Sequence, residues 1–511
     1  MAESSDQPIS YLPHFAKGAL INFSGGLSRM VLLYMYTLLL ARMLTVSGLG
    51  EYFLMFSIIN ILGLASVVGL DFGLIRYIAL YAGNGDFASA RRVLRASLLL
   101  GGTIGVLTAV ALVLLAPVLN STFFNDSETA VAGLRIFSLS IPFLVVARMY
   151  NATTQAMHRM QYQVFSRDLG EQISKLLLSV GAIVLGAQLI GVVWANVVSI
   201  CFGAMLSLIF ASLVLPKPAE NIAITGRPER ELFRYSFPLA FSNILCLVLL
   251  WIDILLLGYL TNSTDVGFYG AALRVATAST AVTVAFSTVF APVIPELYEK
   301  GHLEQLSVLF KTVSKWIFAC SFPIFLVLAL FADPIMRLFG SDFSSGSVAL
   351  ILLAFGQLLS ASAGPTGFMI LMSGHSRVEL LNMAVALGVN VSLCVLLIPR
   401  YGIIGAAMAN MFSAAVLVSM RATEVWIFMR INAFDRGIIK PLLAGSLVAG
   451  ALALLLRYVI TNIGLGLTMV LSITLFALYV LAILAMGLDE HDETVLRLVK
   501  ARLLRVRGST T

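Results

Sequence analysis

Apolar runs long enough to cross a bilayer follow one another along nearly the whole chain, and three of them carry a charge in mid-run. Arg29 lies inside GALINFSGGLSRMVLLYMYTLLLA, Asp253 inside ILCLVLLWIDILLLGYL and Arg274 inside VGFYGAALRVATASTAVTV. A span needs about 20 mostly apolar residues, and its backbone polar groups must be satisfied within the segment, so runs of this length are helices. A charge at the bilayer centre costs a few kcal/mol at least; such a residue faces an interior cavity and marks a path for substrate or ions. The pattern predicts an all-α polytopic membrane protein, and the buried charges make it a transporter candidate.

Only 12% of the 511 residues are charged and 59% are hydrophobic, against roughly a quarter charged in soluble domains. The apolar runs leave no interval long enough for a soluble domain. With Gly, Pro and charges as punctuation, about fourteen spans run from 16–41 to 465–487. Lys and Arg orient them: Arg91, Arg92 and Arg95, Arg227, Arg230 and Arg234, Arg377, and the tail Arg497–Arg507 gather on alternate loops. Both termini are therefore expected in the cytoplasm, with the protein in the cell's inner or plasma membrane. The net charge of +7 follows from this topology and argues no nucleic-acid partner. The first residues, MAESSDQPISYLPHF, lack the basic start of a signal peptide, and the four cysteines have no disulfide or zinc spacing.

The two halves repeat. At one separation of 217 residues, Gly50 meets Gly267, Tyr52 meets Tyr269, Tyr81 meets Tyr298, Pro117 meets Pro334 and His158 meets His375. Gly191 with Gly405 and Asn196 with Asn410 recur at a slightly shorter spacing. The match pairs spans 1–6 with 7–12, and six is even, so the halves run parallel through the membrane. The expected organisation is a six-helix bundle at 1–215, a cytoplasmic linker at 216–230 and a second six-helix bundle at 231–430. Two appended helices at 431–488 and a basic tail at 489–511 complete it. Parallel halves around a central cavity are an established transporter plan.

Four stretches resemble the multidrug/oligosaccharidyl-lipid/polysaccharide exporter superfamily, and within it the Wzx-like polysaccharide or O-antigen flippases. They are ARMLTVSGLGEYFLMFS (41–57), GLDFGLIRYIALYAGNGD (69–86), DILLLGYLTNSTDVGFYGAALRV (253–275) and LLIPRYGIIGAAMANMFS (396–413). The resemblance implies two six-helix bundles plus two helices, with alternating access carrying a polyprenyl-phosphate-linked glycan outward.

Several residues are candidates for the cavity. Asn22, Arg29 and Tyr36 recur every seven residues on one face of the first span, and a guanidinium fork suits a phosphate or acidic sugar. The alternative for Arg29 is a structural partnership with Asp253. Arg274 shares a face with Gly270 and Thr277. Asp253 is either a proton or sodium coupling site or a counter-ion. Glu171 and Lys175 form an i,i+4 pair in the fifth span, deeper than Arg167 and Asp168 at the membrane edge, and Arg148 lies inside the fourth span. Asp71 and Arg76 bracket the inner end of the second span as a candidate gate. The lone histidines read as polar loop residues, and the stretch 86–97 reads as a basic interfacial helix beside membrane lipids. Asn120, Asn125 and Asn262 begin glycosylation sequons in outer loops.

No Cys/His/Asp/Glu cluster has metal spacing, and no nucleotide-binding loop appears, so neither cofactor nor ATPase is expected. A lipid-linked oligosaccharide flippase, functional as a monomer, is the leading function. A multidrug/cation antiporter would need an acidic pocket, whereas Arg29, Arg148, Lys175 and Arg274 stand against Asp253 and Glu171. A membrane glycosyltransferase or polymerase would need acids in a long outer loop, and the outer loops are short.

Overall fold

The computed structural model describes residues 12–124, 126–216, 228–433, 436–459 and 465–485; the side chain of Asn22, Asn125, most of the expected linker and the basic tail lie outside the described residues. Within them every regular element is helical. In chain order these are α1 (Leu12–Met43), α2 (Val46–Ala65), α3 (Leu70–Gly83), α4 (Phe87–Phe123), α5 (Glu128–Ser138), α6 (Ser140–Ala156) and α7 (Met160–Gln163). A π-helical stretch, Val164–Gly170, leads into α8 (Glu171–Val184), followed by α9 (Gln188–Val214), α10 (Pro228–Leu260), α11 (Ser263–Ala276), α12 (Thr280–Phe290) and α13 (Val293–Glu299). Then come α14 (Leu303–Leu330), α15 (Ala332–Arg337), α16 (Ser347–Ser362), α17 (Thr366–Met372), α18 (Ser376–Tyr401), α19 (Ile403–Met429), α20 (Ile439–Val459) and α21 (Leu465–Ala485). Among the described residues, eleven helical segments are long and apolar enough to cross a membrane, and Ile244–Leu260 and Ile439–Leu454 are shorter apolar helices. The all-α polytopic class expected from the apolar runs is thereby observed.

Three segments are built differently from their expected spans. The second breaks after Ala65, where Val68 (φ 51°) and Gly69 (φ 68°) turn left-handed. Gly69 is needed there, since a Cβ would fall 2.6 Å from the Ser236 carbonyl oxygen of α10. The fifth opens with the π-helical Val164–Gly170, which shifts the side-chain register ahead of the 14-residue α8. The basic stretch 86–97 is no separate interfacial helix but the first turns of α4, whose 37 residues extend over about 55 Å at 1.5 Å per residue. Asp86 caps that helix, its Oδ1 accepting from the Ser89 N–H at 2.9 Å.

The chain divides into two compact units, Met1–Val275 with Met383–Ala409, and Ala276–Asn382 with Asn410–Thr511. This cut differs from the repeat boundary, since it assigns α10 and α11 to the first unit.

The first unit has a core in which Leu70, Leu74 and Ile78 of α3 meet Val93 of α4, Val145 and Met149 of α6 and Leu232 of α10. In it the repeat pair Gly50 and Gly267 come face to face. A Cβ on Gly50 would fall onto the Ser263 carbonyl oxygen, and one on Gly267 onto that of Val46. Val46 and Ser263 are themselves 217 residues apart, so the contact is reciprocal, as at a two-fold interface.

In the second unit, Phe318 and Phe322 of α14 pack with Leu475 and Tyr479 of α21, and the Tyr479 hydroxyl donates to the Ala319 carbonyl at 2.9 Å. The final helices are thus anchored on α14. Arg421 of α19 makes a two-pronged bond with Glu379 of α18, and the Asn382 amide donates to Glu424 at 2.5 Å.

Candidate functional site

The expected site residues lie in the first unit, drawn from α1, α3, α6, α8, α10 and α11. Lys175 is buried at 5% exposure, and its ammonium lies 4.5 Å above the Tyr36 ring and 5.0 Å from the Phe56 ring. No carboxylate among the described residues lies within ion-pair distance of it, Glu171 included. Glu171 instead packs on α9, where a Cβ at Gly203 would stand 3.2 Å from its Oε2. Attraction to the ring faces offsets part of the cost of burying a cation.

A polar lattice fixes those rings. The Asn196 amide donates to the Tyr36 hydroxyl at 2.8 Å, Ser179 donates to the same oxygen at 3.3 Å, and Tyr52 donates to Asn196 Oδ1 at 3.3 Å. The aromatic series continues outward: Phe56 meets Trp251 edge-on at 5.5 Å, and the Arg274 guanidinium lies 6.0 Å from the Trp251 ring. Tyr36, Phe56 and Trp251 thus link Lys175 with Arg274.

The remaining residues fall into separate pairs. Arg29 lies 3.6 Å from Asp168, so Asp168, and not Asp253, is the acid beside it. Asp168 is 6% exposed, because it lies on the π-helical stretch, packed against α1. Gly25 permits that approach: a Cβ there would be 2.6 Å from the Val164 side chain. Arg148 lies 3.9 Å from Asp71. Arg76 is not paired with Asp71; its guanidinium sits 4.5 Å over the Tyr235 ring of α10. Asp253, 1% exposed, accepts the Tyr269 hydroxyl at 2.9 Å. Asp253 stands 217 residues after Tyr36, as Tyr269 does after Tyr52, so the second repeat sets a carboxylate where the first sets a phenol.

Residue spacing missed Asp168, Tyr52, Phe56, Asn196 and Trp251. Asn196 and Tyr52 were visible only as repeat positions; Phe56 and Trp251 look like ordinary apolar residues in sequence. Among the described residues no group of His, Cys, Asp and Glu is arranged to hold a metal ion. Of the sequons, Asn120 is buried in the last turn of α4 and is no accessible acceptor, while Asn262 Oδ1 accepts the Asp265 N–H at 2.9 Å at the start of α11.

These features define a multi-pass membrane protein in which buried Lys175 and half-buried Arg274 lie against aromatic rings. The model of the polysaccharide biosynthesis protein family matches residues 15–298, more than half of the chain, and the protein belongs to that family. The MatE model matches 238–396, consistent with the superfamily expected from the motifs. A probable low-salt glycan biosynthesis flippase of Haloferax volcanii is 30% identical over 210 residues, 40% of this chain and 43% of that relative. The chain thus spans under half the length of that relative. Its fold is shared with a lipid II flippase in an inward closed conformation, with a TM-score of 0.74, 13% identity, and coverage of 90% of this chain and 98% of that one. An inward-facing multidrug resistance MATE transporter of the MOP superfamily has a TM-score of 0.67 at 16% identity, covering 79% of this chain and 95% of that one.

Proposed function

We propose that this protein is a flippase that moves a polyprenyl-phosphate-linked oligosaccharide from the cytoplasmic to the outer leaflet by alternating access. It acts as a monomer in the cell membrane with both termini cytoplasmic. Family membership supports the cargo class. One observation carries the site: Lys175 is buried on the Tyr36 and Phe56 rings without a carboxylate in ion-pair range. A visiting phosphate supplies the missing anion, and sugar rings fit beside aromatic faces. Arg274 and Arg29 provide further guanidinium forks, with Arg148 and Glu171 at the margin. Asp71 and Arg76 form the inner gate, each engaging a different partner. The bundles at 1–215 and 231–430 are the halves that alternate. Asp253 is the coupling site, its Tyr269 bond making and breaking with a proton or sodium ion.

The antiporter alternative draws on the MatE match, but the ring faces that would receive an organic cation are already occupied by Lys175 and Arg274. The test is export of lipid-linked glycan in cells that depend on this protein. Lys175→Ala and Arg274→Ala should each lower export at least about tenfold, the equivalent of one charge-assisted bond, at unchanged protein level. Full export by both variants would refute the site, and efflux of organic cations without glycan export would favour the antiporter.

A further inference from the structure

At the basic end of α4, away from the Lys175 site, α4 and α9 both pack along α6. Between them lies a cavity of about 190 Å³, bordered by Arg91, Arg95 and Leu98 of α4, Tyr150 of α6, and Leu208 and Ser212 of α9. Its rim is held in place. Arg91 donates through Nε to the Pro216 carbonyl at 2.9 Å and through a terminal nitrogen to that of Leu215 at 2.8 Å, satisfying acceptors at the end of α9. Arg92 is bonded to Glu229. Arg95, one turn from Arg91, is exposed and has no ion-pair partner among the described residues. Three guanidinium groups therefore crowd two helical turns beside one carboxylate.

The helices that border the cavity also carry exposed apolar side chains. Tyr150, Val146 and Phe143 recur at four and three residues, so they share a face of α6. Phe143 is 44% exposed and Met205 of α9 50%, and at Gly102 of α4 no side chain or backbone of another element lies within 4 Å of where a Cβ would stand. A cationic pocket on helices with exposed apolar side chains has the two-part chemistry of a phospholipid. Arginines that only held the membrane edge would need no such pocket.

We propose that this pocket binds an anionic phospholipid, its phosphate held by Arg95 and the remaining N–H edge of Arg91, and an acyl chain lying along α6. An anionic head group suits it better than a zwitterionic one, because the pocket lining carries two arginines and no acid to receive a choline or ethanolamine group, and Glu229 beside it is engaged by Arg92.

The test uses the full-length protein, stripped of lipid in detergent and titrated with phosphatidylglycerol or phosphatidylcholine. Native mass spectrometry counts the first bound lipid, and thermal unfolding reports its effect. Phosphatidylglycerol should bind at least about tenfold more tightly than phosphatidylcholine. Arg95→Gln, which leaves the Arg91 carbonyl bonds intact, should erase that preference, and Ser212→Trp, which fills the pocket from an exposed position, should weaken both lipids. Arg337→Gln, at an ion pair of the second unit, should change neither. Equal affinity for the two lipids, or an undiminished preference in Arg95→Gln, overturns the proposal. So does stabilisation by inorganic phosphate equal to that by phosphatidylglycerol, which would mark a simple anion site.

Discussion

A buried lysine resting on two ring faces is a liability to the resting protein and an asset only when an anion arrives. Stability and transport should therefore respond to Lys175 with opposite signs. Lys175→Met keeps the length of the side chain and removes a buried charge, whose burial without a carboxylate in ion-pair range costs free energy. The variant should unfold at an equal or higher temperature and fail to export glycan, whereas Lys175→Arg should retain part of the export. A Lys175→Met protein that exports normally would remove the anion role. The Glu379–Arg421 pair of the second unit should behave in the contrary way. Breaking a buried pair by removing one partner costs about 3–5 kcal/mol, so Glu379→Gln and Arg421→Gln should each lower the unfolding temperature, and the double change should cost less than their sum. A double-mutant cycle on purified protein checks this. Lys175 was legible in sequence because an ammonium in an apolar run is conspicuous. Asp168 was not, because helical spacing counted from the end of the span cannot anticipate a π-helical stretch.

Helix packing here depends on glycines where backbones meet. Gly50 and Gly267 tolerate no Cβ, since each would place one on a carbonyl oxygen of the other's helix. Gly388 of α18 has no neighbour within 4 Å of a Cβ position. Gly50→Ala should therefore destabilise by about 1–3 kcal/mol or more through overpacking, while Gly388→Ala should be neutral or stabilising by about 0.5–1 kcal/mol, the usual gain of Ala over Gly inside a helix. Thermal unfolding of the two proteins side by side decides it, and equal losses would argue against backbone contact as the cause. The glycine pair was visible in sequence as a repeat, but its meaning was not: matching positions in two halves need not touch. The break at Val68–Gly69 was hidden because an apolar run reads as continuous helix whether or not one glycine turns left-handed. The basic start of α4 misled in the other direction, since charge suggested a separate element where the backbone continues.

For the whole molecule, the repeat predicts similar scaffolds and the site residues predict unequal duties. At the common separation, Arg29 corresponds to Cys246 and Arg148 to Pro365, and Tyr36 to Asp253. The cations proposed to bind cargo thus concentrate in the first repeat, and the second supplies a buried acid. Asp253→Asn should stop transport while preserving fold, and its effect should not be relieved by Arg29→Gln, because Arg29 is paired with Asp168; rescue by that second change would restore the counter-ion reading. The orientation is separately checkable. A cysteine introduced at Asn84 should react with an impermeant thiol reagent only after the membrane is opened, and one at Asn262 should react in intact cells. The opposite labelling pattern would invert the topology. Fold class was legible because hydrocarbon thickness acts on whole segments. The aromatic path from Tyr36 to Trp251 was not, since it joins residues far apart in the chain that apolar composition cannot distinguish.

The reciprocal glycine contact also sets an order of events during synthesis. Gly50 leaves the ribosome 217 residues ahead of Gly267, an interval of roughly 10–40 s at about 5–20 residues per second. Throughout it, the start of α2 is already in the membrane with its closest-fitting partner still unmade, and a bare backbone groove is open to any other helix or chaperone. The scaffold is therefore most vulnerable to mispairing at mid-synthesis, and a pause in translation between the two repeats would prolong that exposure.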